Sequence, residues 1–337
     1  MKKKIIILFI LAFIFFMLSI CVGSIFISPK EILAIFIYKI FNIEIIENIN
    51  KINVDIIFNI RITHFILSFF VGASFAITGT IIQSVLRNPL ASTYNLGVSS
   101  GAGLGISILI IFGINYSQFL YIISSIIFAF LTILIILFLS ITMDKYMNNN
   151  SIILSGIVIS LFVNSIMNFL TYMFPKYANR IIFCQLGNLS LNNFYYIFII
   201  ISITIIFLIS MMYYSNILDI MTFGDDSAYS MGIDTKKMRM IFIIISSILT
   251  SILVSFIGII GFVDLISPHI ARKLFSFKHI VVIPVSALIG GILLVIADIL
   301  SRIIINGSNI PIGIITAIIG TPFFFYIFIK NRENKKC

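Results

Sequence analysis

The chain has 337 residues, of which 60% are hydrophobic and only 10% are charged, and its mean hydropathy is +1.18. Soluble domains carry roughly 25% charged residues, so this composition excludes a soluble protein. The formal net charge of +10 does not indicate nucleic-acid binding, because the Lys and Arg residues form short clusters between apolar runs, as they do in cytoplasmic loops of membrane proteins.

The first predicted element is a membrane-spanning helix that follows the lysines at the N-terminus. Its apolar run is longer than the core of a cleaved signal peptide, which has about 7–15 residues. Residues 28–60 mix charged and apolar side chains, which predicts an amphipathic segment at the membrane surface. The next span is predicted over residues 58–86, where Gly72, Ala76 and Gly79 share one face and allow a neighbouring helix to approach closely.

A helix break is predicted after this span at Asn88 and Pro89, because proline cannot continue a helix. Three glycines then recur every four residues on one helix face, a pattern typical of tight helix packing: Gly97, Gly101 and Gly105. Further spans are predicted over three long apolar runs: residues 116–143, 151–173 and 193–214.

The most polar internal stretch, residues 216–239, predicts a loop outside the membrane, which is either simply solvated or docked on a partner. A span over residues 240–255 and a short outer turn at residues 258–261 follow. In GFVDLISPHIARKLF, residues 261–275, an apolar run ends in Pro-His and two cations, which predicts a helix leaving the bilayer. Residues 268–279 then form a basic elbow at the membrane surface.

Two more spans follow, one over residues 280–305 and one within residues 309–332, after a short Pro-Gly turn and before a basic tail. Asp298 and Arg302 lie four residues apart in the first of them, so they share a helix face and can form an ion pair. This pair accounts for both charges without a role in proton transport. With about 20 apolar residues needed for each crossing, the sequence predicts an all-α polytopic membrane protein with about ten transmembrane helices and one domain, residues 1–337. With the N-terminus inside, fifteen of the 22 Lys and Arg residues fall on the inner side, which supports cytoplasmic termini.

Several motifs in this order resemble the permease subunits of ABC importers that take up ferric siderophores, haem and vitamin B12. The motifs are RNPLA at residues 87–91, LGVSSGAGLG at residues 96–105, GFVDLISPHIAR at residues 261–272, ADILSR at residues 297–302 and PIGIITAIIGTPFF at residues 311–324. The resemblance implies a multi-pass protein of the bacterial cell membrane. It also implies four kinds of partner: a second permease subunit (identical or a paralogue), two cytoplasmic ATPase subunits, an extracytoplasmic binding protein and membrane lipid.

The same resemblance implies roles for named residues. A coupling loop at residues 216–239 and the elbow at residues 268–279 are expected to contact the ATPase through Asp225, Asp226, Ala228, Met231, Gly232, Pro268, His269 and Arg272. Docking of the binding protein is expected at Arg61, His64 and Arg302. Helix packing and the translocation path are expected to use Gly72, Gly79, Asn88, Pro89, Gly97, Gly101, Gly105, Pro311, Gly313, Gly320 and Pro322.

Other functions receive less support. The chain has no GxxxxGK[ST], GxSxG or HExxH motif, so we predict a transport subunit that is not an enzyme and needs no cofactor. Three cysteines at unrelated spacings (Cys21, Cys184 and Cys337) indicate neither a disulfide framework nor a metal site. An ion-coupled secondary transporter stays as the alternative, and the sequence does not choose among siderophore, haem and cobalamin.

Asp264 departs from the family pattern, which has a small residue at this position. The predicted topology places it near the outer interface, where a carboxylate costs less than at the bilayer centre. It is either a wetted or paired polar residue near the mouth of the path or a contact with the cargo.

Overall fold

The computed structural model describes residues 2–23, 25–41, 51–113, 118–144, 148–189, 194–305 and 309–333. Within these ranges every regular element is a helix. Lys145, Lys335 and Lys336, which the charge count assigned to the inner side, lie outside them. The helices are α1 (Lys2–Cys21), α2 (Pro29–Phe41), α3 (Lys51–Asp55), α4 (Ile62–Val85), α5 (Val98–Ile111), α6 (Gln118–Met143), α7 (Asn149–Met173), α8 (Ala178–Leu186), α9 (Phe194–Tyr213), α10 (Ser215–Thr222), α11 (Asp225–Ser230), α12 (Thr235–Ile257), α13 (Val263–Leu274), α14 (His279–Ile303) and α15 (Ile312–Glu333).

Seven helices in this part of the chain are long and apolar enough to cross a membrane: Lys3–Cys21, Ile52–Val85, Gln118–Met143, Asn149–Met173, Phe194–Tyr213, Thr235–Ile257 and His279–Ile303. Two shorter apolar helices, Val98–Ile111 and Ile312–Phe325, join them. Together with α13 they make the predicted ten, so the all-α membrane fold is confirmed.

Two predicted boundaries are wrong. The span expected from residue 58 begins at Ile52, because a π-helical turn, Ile56–Arg61, joins α3 directly to α4. The predicted loop at residues 216–239 is also shorter than expected. Asp234 accepts a hydrogen bond from the backbone N of Lys237 (3.0 Å) and so caps α12, which therefore begins at Thr235.

The centre of the molecule is a pair of helices, α4 and α14, in direct backbone contact. A Cβ on Gly72 would overlap the carbonyl oxygen of Gly290, and a Cβ on Gly290 would overlap that of Gly72. Two turns further along, the hydroxyls of Thr80 and Ser286 lie 2.8 Å apart and join the same two helices. Small side chains thus bring α4 and α14 closer than an ordinary apolar interface allows.

Three non-helical segments meet beside this pair, at the ends of α8, α12 and α15. The backbone N of Ile259 donates to the carbonyl of Cys184 (2.9 Å), that of Asn188 to Ile257 (2.7 Å) and that of Ile312 to Gly187 (3.1 Å). Gly187 (φ 71°) makes the required reversal at a left-handed backbone conformation. Residues of this junction line a cavity, among them Gln185, Ile259 and Gly313. In membrane proteins irregular backbone is tolerated where protein buries it or where it lines such a cavity.

Candidate functional site

Two adjoining cavities, of about 400 and 580 Å³, open beside the junction of the three non-helical segments. Tyr94, Phe262 and Thr321 line both of them. The remaining wall is apolar or neutral and includes Leu90, Asn95, Gln185, Ile259, Gly313, Ile314, Ala317, Pro322 and Phe324. Because none of the described wall residues carries a formal charge, the wall can contact a large solute without holding it by ion pairs.

Phe262 stands between the two cavities in a backbone conformation that is rare for a bulky residue, with φ +71°. Its ring lies against Gly320, where a Cβ would overlap the ring carbons. The ring of Tyr94 lies 3.7 Å from the position that a Cβ on Gly261 would take. Uncommon backbone conformations persist where the surrounding structure enforces them, and they cluster at functional sites. Neither Phe262 nor Tyr94 was predicted from the sequence as a site residue.

The predicted topology puts Asp264 near the outer interface, at the end of α4 that follows Arg61, but the structure places it nearer to the Arg87 end. Its carbonyl oxygen meets Gly79 of α4 so closely that a Cβ there would overlap it. Gly79 is eight residues before Arg87 and eighteen after Arg61, which is about 12 Å and about 27 Å along a helix. The reason is that the turn after α12 leads back into the protein before α13 begins. The Asp264 carboxylate is buried there and accepts from the Thr93 hydroxyl (3.4 Å).

A second part of the candidate site is the segment formed by α10, α11 and the turn after them, residues 215–234, here called the α10–α11 segment. Asp225 fastens it to the membrane helices by an ion pair with Arg87 and by another with Arg239, whose Nη2 lies 3.0 Å from Oδ1. Partial burial opposes ionisation of the Asp225 carboxyl, but the two guanidinium groups outweigh it and hold its pKa below the usual value. Asp225 therefore stays charged at neutral pH.

The α10–α11 segment presents an exposed apolar surface made by Phe223 (74% exposed), Tyr229 (79%) and Met231 (60%). Of the other residues predicted here, Asp226 and Gly232 are exposed and Ala228 is fully buried. Exposed aromatic and Met side chains are enriched at protein interfaces. The segment therefore offers a surface suited to a partner, while within the predicted set Asp225 ties the segment to Arg87 and Arg239 and Ala228 packs inside it.

The predicted elbow faces inward more than expected. Pro268 is buried, and the ring of His269 packs edge-on against Phe323 with centroids 6.2 Å apart. The guanidinium of Arg272 donates to Gln83 of α4 (2.5 Å) instead of lying free at the surface. At this point α13 packs on α4, and Gln83 and its neighbours accept from the Arg272 guanidinium, while the contact of Arg272 with the ATPase stays a prediction.

At the opposite end of α4, Arg61 and Arg302 are buried against the C-terminus of α1. Arg61 donates to the carbonyls of Ile20, Cys21 (2.9 Å) and Ile25, and Arg302 donates to the carbonyl (3.3 Å) and the hydroxyl (2.9 Å) of Ser19. The last carbonyls of a helix lack partners within it and attract cations. The sequence could not show this contact, because the two arginines are 40 and 283 residues from their acceptors.

The charges beside these arginines are also paired within the chain. Asp298 lies 2.7 Å from Nη2 of Arg302, as their spacing predicts, and 3.0 Å from Nδ1 of His64. A cavity of about 260 Å³ opens here between Arg61, His64 and Arg302. The structure thus brings the three predicted docking residues together but leaves them little exposed, and their docking role stays a prediction.

The structure places the residues predicted for helix packing and the path at close contacts between elements. Gly79 meets α13, Gly101 and Gly105 meet Thr132 and Ser124 of α6, Gly313 meets Leu186 of α8, and Gly97 (φ 76°) precedes α5 in a left-handed conformation. Asn88 accepts from the backbone N of Leu90 (2.8 Å) beside the exposed Pro89, and Pro311 directly precedes α15. Among the described residues there is no group of three or more His, Cys, Asp or Glu that could hold a metal ion.

Comparisons with known proteins agree over nearly the whole chain. The model of the FecCD transport family matches residues 10–330. The Fe(3+)-citrate import system permease protein YfmE of Bacillus subtilis (strain 168) is 32% identical over 99% of this chain and 98% of its own. The cobalamin import system permease protein BtuC of Halobacterium salinarum is 30% identical over 82% of this chain and 74% of its own. A solved transporter assigned to the metal-chelate type of ABC transporters, in an inward-facing conformation, superposes with a TM-score of 0.82 at 25% identity and covers 98% of this chain and all of that one.

Proposed function

The chain belongs to the FecCD transport family and is a permease of an ABC importer, and we propose that its cargo is a ferric chelate, either a ferric siderophore or haem. Family membership decides against the ion-coupled secondary transporter. The observation that supports a ferric chelate over cobalamin is the extent of similarity: the iron-citrate permease matches end to end, whereas the match to the cobalamin permease leaves a quarter of that protein uncovered.

The uncharged cavity wall at Tyr94, Phe262 and Thr321 fits this function. Conduction requires that a site binds its solute well enough to admit it and weakly enough to release it. Aromatic and small neutral side chains give a large chelate broad contact area without a fixed charge pair. Selectivity then lies mainly in the binding protein that delivers the cargo.

The cavity is open on the side of α15, where Ile318 and Phe325 are exposed. A second permease subunit, identical or a paralogue, closes it there, so that the path runs between two copies. Large exposed apolar patches on a membrane protein that do not face lipid mark such interfaces. In this arrangement α15 and the turn at residues 258–262 lie at the centre of the assembly.

Energy comes from two ATPase subunits that bind the α10–α11 segment in the cytoplasm. Phe223, Tyr229 and Met231 enter a cleft of the ATPase, and Asp225 holds the segment to Arg87 and Arg239 so that its displacement reaches the membrane helices. This orientation places both termini in the cytoplasm of a bacterial cell. The binding protein docks at the opposite end, beside Arg61, His64 and Arg302.

Uptake by the reconstituted importer tests the cargo. Vesicles that contain the permease with its ATPase and binding protein are given radiolabelled ferric citrate, ferric siderophore, haem or cobalamin, with and without ATP. We expect ATP-dependent accumulation of an iron compound and no competition by excess cobalamin. Accumulation of cobalamin with no uptake of iron would replace the ferric chelate by the alternative cargo.

Co-purification from gently solubilised membranes tests the ATPase contact. The triple variant Phe223→Ser, Tyr229→Ser, Met231→Ser removes the exposed apolar surface, whereas Ser230→Ala changes an exposed residue of the same segment and serves as the control. We expect the ATPase to be retained by the control and lost from the triple variant. Equal retention by both variants would place the ATPase elsewhere on the chain.

A further inference from the structure

A continuous run of hydrogen bonds connects the α10–α11 segment with the wall of the cavity. It begins at Asp219 in α10, whose Oδ1 accepts from the backbone N (2.9 Å) and from Nδ1 (2.6 Å) of His279, the first residue of α14. The carboxylate thus caps the N-terminus of α14, where negative charge is favoured. A displacement of α10 therefore acts on α14 through a charged contact.

The next link joins α14 to α4. Nε2 of His279 lies 2.5 Å from the hydroxyl of Ser84. Because Nδ1 donates to the carboxylate, Nε2 of the neutral ring is an acceptor, and the Ser84 hydroxyl donates to it. This hydroxyl has a second possible acceptor in the carbonyl of Thr80 (2.7 Å), but the shorter distance favours the ring.

The third link joins α4 to α13 through Arg272. Nη2 of Arg272 donates to the Ser84 hydroxyl (3.1 Å), so that every donation runs in one direction, from Arg272 through Ser84 and His279 to Asp219. Hydrogen bonds arranged in one direction polarise and strengthen one another. A cation at one end and a carboxylate at the other support this direction.

The fourth link ends at the cavity. Nη1 of Arg272 donates to Oε1 of Gln83 (2.5 Å), and Nε2 of Gln83 donates to the carbonyls of Asp264 (3.2 Å) and Leu265 (3.3 Å). These carbonyls belong to the first turn of α13, directly after Phe262. The absence of a side chain at Gly79 brings the same turn against α4.

We propose that Asp219, His279, Ser84, Arg272 and Gln83 are positioning residues of transport, called the polar relay, which passes a displacement of the α10–α11 segment to Phe262 and so to the passage between the two cavities. This inference rests on the proposed function, because it assigns the ATPase contact to the α10–α11 segment. The four links join three pairs of helices: α10 with α14, α14 with α4 and, twice, α4 with α13. Phe262 is the end point of the relay because its backbone conformation is uncommon for its residue type, and such conformations cluster at switch regions.

The variant Ser84→Ala breaks the relay at its centre while it removes a single hydroxyl. The matched control is Ser68→Ala, which removes a buried hydroxyl from the same helix; within the described residues this hydroxyl donates to the Phe65 carbonyl of that helix (3.0 Å). In the reconstituted importer we expect Ser84→Ala to retain the ATPase and its ATP hydrolysis but to lower the cargo moved per ATP by roughly ten- to a hundredfold, the effect of the two lost hydrogen bonds to His279 and Arg272. Ser84→Thr, which keeps a hydroxyl, should restore most of it, and Ser68→Ala should match the unmodified chain.

Uptake and ATP hydrolysis that fall in equal proportion, or equal effects of Ser84→Ala and Ser68→Ala, would overturn the relay. A second measurement needs no transport and therefore separates failure of the relay from failure of the proposed function. In a chain whose three native cysteines are replaced, Thr321→Cys reports cavity access by its rate of alkylation. We expect Asp219→Asn to change this rate several-fold when Ser84 is present and to leave it unchanged in the Ser84→Ala background. The same change in both backgrounds would refute the relay, whether or not the importer carries iron.

Discussion

Replacement of Asp298 by Ala tests how far the buried charge cluster stabilises the fold. Asp298 is 1% exposed and Arg302 is 7% exposed, and the variant leaves the Arg302 guanidinium without its counter-ion. Breaking a buried pair in this way typically costs about 3–5 kcal/mol of unfolding free energy. Because Arg302 keeps its hydrogen bonds to Ser19, we expect the lower end, about 3 kcal/mol.

The double variant Asp298→Leu, Arg302→Met removes both charges and keeps apolar volume, so it should lie within about 1 kcal/mol of the unmodified chain. Thermal unfolding in detergent checks both values. At roughly 2 °C for each kcal/mol, the single variant should unfold about 6 °C lower and the double variant close to the unmodified chain. Asp55→Ala, at an exposed carboxylate of α3, controls for loss of a surface charge and should change little. The reasoning fails if the double variant unfolds at as low a temperature as the single one, since the loss of stability would then not come from the unpaired charge of Arg302.

Three further results are expected. Gly79→Ala should lower the unfolding free energy by about 1–3 kcal/mol, because the added Cβ meets the Asp264 carbonyl and forces α4 and α13 apart. In the same unfolding assay Gly261→Ala should cost much less, because the atom nearest to its added Cβ is 3.7 Å away. Equal losses in the two variants would contradict the close contact at Gly79. Retention of the ATPase should not change between about pH 5 and pH 8. The pKa of the Asp225 carboxyl is lowered on folding, so its ion pairs stabilise the segment fully above the usual pKa of about 3.9 and are lost only as the pH falls through the lower value. Asp225→Asn should weaken retention at every pH, and a decline in retention by the unmodified chain between pH 7 and pH 5 would exclude Asp225 as the cause of that decline. Arg61→Met should release the C-terminus of α1, seen as faster amide hydrogen exchange after Ser19, and unchanged exchange would show that the carbonyls find other donors.

The helices of the membrane domain could be predicted from the sequence because apolar length alone decides them. The start of α12 shows the limit of this approach. Hydropathy places the start at residue 240, but the Asp234 carboxylate accepts a hydrogen bond from the backbone N of Lys237 and so starts the helix within the polar stretch. The pairing of Asp298 with Arg302 was also accessible, since helical spacing brings the two together wherever the helix lies.

The candidate site was predicted less completely, because its contacts join residues that are distant in the chain. The resemblance pointed to Arg272 as a contact of the ATPase, but it could not show the acceptors of Arg272 within the chain, because Gln83 and Ser84 lie almost 190 residues earlier. A weak signal was present: Gln83 and Ser84 are polar residues inside an apolar span, where they require partners. Asp264 was misplaced because nothing in the sequence states that the turn after α12 leads inward.

The backbone contact between Gly72 and Gly290 limits how the protein can change shape. Where the backbones of two helices touch, the helices cannot slide past one another without collision, so we expect α4 and α14 to turn together as one rigid lever. Alternating access then takes place by hinging at the edges of this lever, where α13, α15 and the α10–α11 segment attach. Spin labels placed on α4 and α14 should keep a constant separation through the ATP cycle, whereas labels on α4 and α15 should change theirs. The contact between these two glycines would thus keep α4 and α14 fixed relative to one another while the attached helices rotate about them during transport.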